Sequence, residues 1–154
     1  MFEKEIEKQP VVDLLNHILE MELAGVVRYT HYSFMVFGFG RIPIVSWLRE
    51  QAQEALLHAE QAGELITSIG GHPSLGIGPL LETHKHGIGA ILEESLESET
   101  DSIQAYRELL SLVEGKSIAL EEYARRMIYT ELVHKSEVDK MLREPGALGV
   151  KSDA

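Results

Sequence analysis

The sequence predicts an all-α protein, a four-helix bundle made of two antiparallel helical hairpins joined by a long crossover. Apolar residues recur at spacings of three and four through four long segments, and no segment alternates as a strand would. The links inside each hairpin are short, whereas about fifteen residues separate the second helix from the third. A link of that length can run along a whole helix, at ~3.3 Å per residue.

Proline, glycine and serine mark the ends of the predicted helices. Pro10 and Pro43 suit first helical turns, Gly70 suits the turn after a helix, and Ser117 can cap the fourth helix. The predicted helices run over residues 10–37, 43–69, 87–114 and 117–144. The bundle is expected to span residues 10–143, with an N-terminal tail at 1–9 and a flexible C-terminal tail at 144–154.

Composition excludes several classes of protein. The 154 residues fit one domain, and 25 acidic against 14 basic side chains argue against nucleic-acid binding. The chain has no cysteine, which rules out disulfides, iron–sulfur clusters and Cys-ligated zinc. Because the N-terminus lacks an apolar signal core and no segment is long and apolar enough for a membrane span, we expect a soluble cytoplasmic protein without membrane contact.

A glutamate lies near the middle of the predicted buried stripe of every helix, and two stripes carry a histidine one turn further on. One bare buried carboxylate costs several kcal/mol, so four would exceed the ~5–15 kcal/mol that holds a domain folded. No lysine or arginine lies on the stripes. Two divalent cations, completed by neutral imidazoles, would balance the charge. The candidate metal ligands are Glu22, Glu54, His58, Glu99, Glu131 and His134.

The two halves of the chain look like copies of one unit. Glu22 and Glu54 are 32 residues apart, as are Glu99 and Glu131. A tyrosine follows the first glutamate of each half by seven residues, at Tyr29 and Tyr106. One glutamate on the first helix and a glutamate with a histidine on the second is the pattern of di-iron carboxylate bundles.

Three segments carry a family resemblance: MELAGVVRYTHYS around Glu22, LESETDSIQAYREL around Glu99, and TELVHKSEV with Glu131 and His134. Over residues 10–143 the chain resembles the ferritin superfamily, and bacterioferritin most closely. The resemblance implies a ferroxidase that oxidises Fe(II) with O2 or peroxide for iron storage or detoxification. It also implies a centre for two iron ions, with Mn or Zn possible in the isolated protein.

The resemblance further implies a role for each candidate. Glu22 and Glu99 would be terminal ligands, Glu54 and Glu131 would bridge the two ions, and His58 and His134 would bind one ion each. Tyr29 and Tyr106 would orient carboxylates, although both are equally compatible with a purely structural core position.

The chain departs from the family pattern in three ways. Glu54 and His58 are four residues apart instead of three, so we expect a π-bulge to bring both inward. If Glu54 faces solvent instead, the second-helix carboxylate would be missing or replaced by Glu50. The family's haem-ligating methionine is replaced by residues 55–57, Ala-Leu-Leu, which argues against haem. A short fifth helix is not predicted after His134, so the family's 24-subunit cage is not expected.

Two further functions stay open: a di-iron oxygenase or peroxidase acting on an organic or peroxide substrate, and a non-enzymatic metal-stabilised scaffold. The apolar segment 34–39 predicts a subunit contact, and hence a homo-oligomer that is at least a dimer. His17 and His31 are predicted to be surface or packing residues. On the crossover His84 and His86 are more simply solvated than metal-binding.

Overall fold

The computed structural model describes residues 6–80 and 82–149, and these contain four helices and no strand. The predicted tails therefore fall partly outside the described residues, at 1–5 and 150–154. The helix boundaries agree with the sequence prediction to within a few residues. The helices are α1 (Lys8–Met35), α2 (Arg41–Ser68), α3 (Ile88–Val113) and α4 (Ile118–Leu142).

Local signals at the helix ends act as the sequence predicted. Gly70 adopts a left-handed φ of 82° after α2, a conformation that glycine reaches without steric cost. The next residue, Gly71, then donates its N–H to the Ile66 carbonyl oxygen at 2.8 Å and closes the end of the helix. At the start of α4 the Ser117 hydroxyl accepts a hydrogen bond from the Leu120 N–H.

The helices pack as two antiparallel hairpins. Helix α1 packs against α2, α3 packs against α4, and α1 also contacts α3. Gly25 lies in the middle of the first hairpin, where a Cβ atom would meet that of Ala55 at 3.4 Å, so α1 and α2 approach closely there. Val36 and Val45, near the turn between these helices, share one apolar cluster.

The crossover, whose described residues are 69–80 and 82–87, runs along α1. The Asn16 side chain donates to the His72 carbonyl oxygen at 3.0 Å and accepts from the Ser74 N–H at 2.7 Å. Further along, the Gly78 N–H donates to the Glu20 carbonyl oxygen at 2.8 Å. The crossover therefore follows α1 instead of looping into solvent, as the two-hairpin topology requires.

The core has two apolar clusters with a polar layer between them. The larger contains residues of all four helices, among them Leu15, Ile66, Leu109 and Met127. The smaller, around Tyr32, lies towards the α1–α2 turn. On α1, Leu19 belongs to the larger cluster and Tyr29 to the smaller one, and no buried α1 residue between them is a member of either. The candidate ligands lie at this level of the bundle. Among the described residues, none of the helices has the length and apolar character of a membrane span.

Candidate metal centre

Three carboxylates and one imidazole are buried together in the polar layer. Glu22, Glu99, Glu131 and His58 are each no more than 7% exposed, and the side chain of His134 is 14% exposed. They line a cavity of about 30 Å3. A water molecule needs roughly 10–15 Å3 by this measure, so the cavity has room for about two small ions or waters.

The donor atoms form two groups that share one residue. Glu22, His58 and Glu131 form the first group, and Glu99, Glu131 and His134 form the second, with the donor atoms of each group within 4.8 Å of one another. In the first, Nδ1 of His58 lies 3.5 Å from Glu22 Oε2 and 3.4 Å from Glu131 Oε1. In the second, Nδ1 of His134 lies 2.8 Å from Glu99 Oε1. This arrangement can hold two cations, with Glu131 between them.

The two tyrosines connect the hairpins through these carboxylates. Tyr29 of the first hairpin donates to Glu99 Oε1 of the second at 2.8 Å. Tyr106 of the second donates to Glu22 Oε1 of the first at 2.9 Å. The hydroxyl of Tyr29 also lies 2.7 Å from Ser95 Oγ. These contacts hold two carboxylates in place and also satisfy both buried hydroxyls, so they fit a ligand-orienting role as well as a structural one, and the orienting role stays a prediction.

Two neighbouring buried carboxyl groups, Glu99 and Glu131, have pKa values shifted in opposite directions. Burial and the charge of Glu99 raise the pKa of Glu131 well above its usual range. Burial also acts to raise the pKa of Glu99, but hydrogen bonds with Glu131, His134 and Tyr29 lower it to about 2. Glu131 is therefore the member of the pair that binds a proton more readily.

The pKa values of the two histidines are raised for a related reason. Burial alone lowers the pKa of His58, but the hydrogen bond to Glu22 and the charges of Glu22 and Glu54 raise it overall. The pKa of His134 is raised in the same way by Glu99. Burial also raises the pKa of Glu22, against the opposing effect of His58. The metal-free cluster thus attracts protons where cations would otherwise balance its carboxylates.

Glu54 does not occupy the buried position that the sequence predicted. Its side chain is 46% exposed, and its Oε1 lies 3.6 Å from Nε2 of His58 at the mouth of the cavity. It belongs to neither ligand group. Helix α2 is regular throughout Arg41–Ser68, so the expected π-bulge is absent. The suggested substitute, Glu50, is exposed and does not line the cavity.

The four-residue spacing explains the displacement of Glu54. Glu131 and His134 are three residues apart, and both reach the cavity. Three residues before His58 stands Ala55, which is buried and lines the cavity. Glu54 is one residue further back, and one residue rotates a side chain by about 100° around the helix. Its burial was therefore predicted wrongly, and its role as a ligand stays a prediction.

Arg28 is a buried cation that lies off the predicted buried stripes. It is 6% exposed, lines the cavity and donates a hydrogen bond to the hydroxyl of Ser98. It lies six residues after Glu22, just off the stripe, and Ala105 stands at the matching position after Glu99. Comparison of the two halves of the sequence could have identified it, because an arginine in one copy of the unit corresponds to an alanine in the other.

The donor set suits first-row transition metals. Carboxylate oxygens with one imidazole per position are ligands for iron, manganese or zinc. The fold and the two ligand groups together define a helix bundle that can hold a carboxylate-bridged pair of metal ions. The ferritin family model, described as a ferritin-like domain, matches residues 12–145. The chain therefore belongs to the ferritin family, which confirms the family predicted from the sequence.

Individual relatives agree with this assignment. A bacterioferritin from Desulfovibrio desulfuricans is 27% identical over 141 residues, covering 85% of this chain and 73% of the relative. A ferritin-like, diiron-carboxylate protein from Bacillus anthracis has a TM-score of 0.77 at 22% identity, covering 88% of this chain and 97% of that one.

Two further solved structures share the fold. A dodecameric thioferritin from Bacteroides fragilis, described as bacterioferritin-related, has a TM-score of 0.78 at 22% identity and covers 90% of this chain and 87% of its own. A Rhodobacter capsulatus bacterioferritin is described as having a metal-free dinuclear site and haem iron. It has a TM-score of 0.77 at 24% identity, and the match covers 86% of this chain and 83% of the relative. At these identities the structural matches support the fold alone.

Proposed function

We propose that the protein is a ferroxidase, which binds two Fe(II) ions as substrate in the central cavity and promotes their oxidation to Fe(III) by O2 or peroxide. The observation that carries the proposal is the position of Glu131 in both ligand groups. A carboxylate between two cation positions can hold both ions close enough to react with one oxidant molecule. Membership of the ferritin family and the bacterioferritin relative support the same function.

Each residue has a defined task in this proposal. Glu22 and Glu99 provide one carboxylate to each position, and their tyrosine partners on the opposite hairpin keep them turned inward. Glu131, whose raised pKa favours the protonated form, would have to be deprotonated to act as the shared ligand. Glu54, at the mouth of the cavity, is positioned to meet an ion that arrives from solvent and to contribute the fourth carboxylate.

The size and lining of the cavity favour ions over an organic substrate. About 30 Å3 is far below the roughly 300–1,000 Å3 of pockets that bind drug-sized molecules. Its lining is rich in charged side chains, including Arg28 as well as the candidate ligands. An oxygenase acting on an organic molecule would need an apolar chamber beside the metals. The adjacent pocket of about 360 Å3 is instead a groove open to solvent, and its lining includes the polar side chains of Glu54, His134 and Glu137. The ferroxidase proposal therefore takes precedence over the oxygenase.

The proposal includes assembly into a homo-oligomer. Four large apolar side chains around the α1–α2 turn are strongly exposed in the single chain, and covering them would remove apolar surface from water. The dodecameric state of the Bacteroides fragilis thioferritin gives a precedent within this fold. These side chains are Phe34, Phe37, Phe39 and Ile42, which are 57–110% exposed.

The test is stopped-flow oxidation of Fe(II) added anaerobically to metal-free protein and then mixed with oxygen. The change Glu131→Ala should abolish the rapid phase and leave the helical circular dichroism unchanged. Glu122→Ala is the matched control, because it removes an exposed carboxylate from the same helix. Rapid oxidation that persists in Glu131→Ala would contradict the proposal. Metal binding without any oxidation by O2 or peroxide would favour the scaffold alternative.

A further inference from the structure

A second group of possible metal ligands lies outside the central cavity, where the crossover passes α1. Its members are His31 on α1 and Glu82 and His86 on the crossover, and their donor atoms lie within 4.8 Å of one another. The sequence had predicted His31 to be a surface or packing residue and had considered His84 together with His86. We propose that His31, Glu82 and His86 form a mononuclear site for a divalent transition-metal ion, separate from the dinuclear centre.

The distances are those of ligands around one ion. Nε2 of His31 lies 2.8 Å from Glu82 Oε2, and Nε2 of His86 lies 3.6 Å from Glu82 Oε1. Donor atoms that bind the same ion at ~2.0–2.2 Å lie about 3–3.5 Å apart at ordinary coordination angles. The three side chains therefore need only small adjustments to close on a cation.

One donor atom in the group lacks a partner of its own. Nε2 of His86 is shielded from solvent and has no hydrogen-bond partner, because its separation from Glu82 is too long for a hydrogen bond. A shielded imidazole nitrogen without a partner is unfavourable, and binding a cation removes this cost. The His31 and His86 rings also meet edge to face, with centroids 6.1 Å apart.

The backbone of the crossover holds Glu82 and His86 in this arrangement. His84, between them, has a left-handed φ of 60° and donates its N–H to Glu82 Oε1. Thr83 donates its hydroxyl to Glu94 Oε2 on α3 at 2.9 Å and ties this part of the crossover to the bundle. His84 thus supports the group through its backbone, and its imidazole is not a member of the group.

The donor set also defines the class of ion. Two imidazoles and one carboxylate select ions such as Zn2+, Fe2+ or Co2+ over Mg2+ and Ca2+, which prefer oxygen ligands. Water would complete the coordination sphere at this partly exposed position. Because α1 and the crossover both contribute ligands, a bound ion would clamp the crossover onto α1. This inference does not depend on the ferroxidase proposal.

The first experiment is calorimetric titration of the metal-free, full-length protein with Co2+, monitored also by its visible absorption. His31→Ala and His86→Ala should each bind one ion fewer per chain than the wild type. His84→Asn is the matched control, because it removes the neighbouring imidazole and asparagine tolerates positive φ; it should bind the wild-type number. The test compares the number of Co2+ ions bound per chain by each variant and by the wild type, so it is valid whatever number of ions the dinuclear centre binds.

The second experiment is hydrogen exchange with and without Zn2+. Backbone amides of residues 82–86 should exchange more slowly with Zn2+ in the wild type and in His84→Asn, and Zn2+ should have no effect there in His86→Ala. Equal Co2+ stoichiometry in wild type and His86→Ala would overturn the proposal. So would Zn2+ protection of the crossover that survives the loss of His86.

Discussion

Metal binding at the dinuclear centre should raise the thermal stability of the protein by a calculable amount. An ion present at a hundred times its Kd stabilises the folded chain by about 2.7 kcal/mol, so two ions contribute about 5 kcal/mol. In a domain of this size 1 kcal/mol shifts Tm by about 2–4 °C. We therefore expect Mn2+, which resists oxidation by O2, to raise the Tm of chelator-treated protein by roughly 10–20 °C.

Variants of single ligands should lose different fractions of this Mn2+-dependent rise in Tm, according to the number of ligand groups to which each residue belongs. Glu22 belongs to one group, so Glu22→Gln should keep about half of the Mn2+-dependent shift. Glu131 belongs to both, so Glu131→Gln should lose most of it. Glutamine nearly preserves the volume of each side chain, which limits cavity effects in the metal-free protein.

Differential scanning calorimetry with and without Mn2+ measures both shifts. Glu97→Gln is the control, because it changes an exposed carboxylate on α3 and should retain the full shift. Any ion at the His31 site adds the same increment to all these proteins, so it does not affect the comparison. A wild-type shift in Glu131→Gln would refute the shared-ligand interpretation.

Three other predictions follow from the same geometry. Tyr106→Phe removes the hydroxyl that donates to buried Glu22, so it should lower the free energy of unfolding of metal-free protein by about 1–3 kcal/mol in urea titrations; an unchanged value would show that this hydrogen bond is dispensable. Mn2+ affinity at the centre should fall as pH decreases, because the two histidines and Glu131 have raised pKa values and protons compete for them at higher pH than usual. Calorimetric titrations above and below neutral pH measure this effect, and an affinity independent of pH would contradict it. Phe39→Lys should lower the mass of the assembly in light scattering, whereas Leu75→Lys, an equally exposed site on the crossover, should not; an unaltered mass in Phe39→Lys would remove this face from the proposed interface.

Local sequence signals were sufficient to predict the architecture. Gly70 and Ser117 each act within a few residues of their own position, so the helix ends could be located without knowledge of the packing. The length of the crossover then limited the topology to two hairpins. Buried Glu22, Glu99 and Glu131 could also be identified, because a carboxylate on an otherwise apolar stripe is conspicuous.

Features that depend on angles or on distant contacts could not be predicted in this way. Spacings of three and four residues both count as one helix face in a sequence pattern, yet they differ by about 100° of rotation. In a cavity of about 30 Å3 that difference separates buried Ala55 from half-exposed Glu54. His31 and Glu82 are about fifty positions apart, one on a helix and the other on the crossover, which has no helical periodicity. The sequence pattern therefore contained no signal that they would come together.

The position of Glu54 also helps to explain how the chain folds before it binds metal. The raised pKa values of His58, His134 and Glu131 allow protons to balance the buried charges of Glu22 and Glu99. Arg28 supplies a further buried positive charge beside the cavity, and Glu54 adds no buried negative charge because its carboxylate stays in contact with water. Under the ferroxidase proposal, two divalent ions would displace the protons and bring four positive charges, which a fourth carboxylate would help to match. In that proposal a half-exposed Glu54 beside His58 would suit both states, because it would remain hydrated without metal and would turn inward when metal binds.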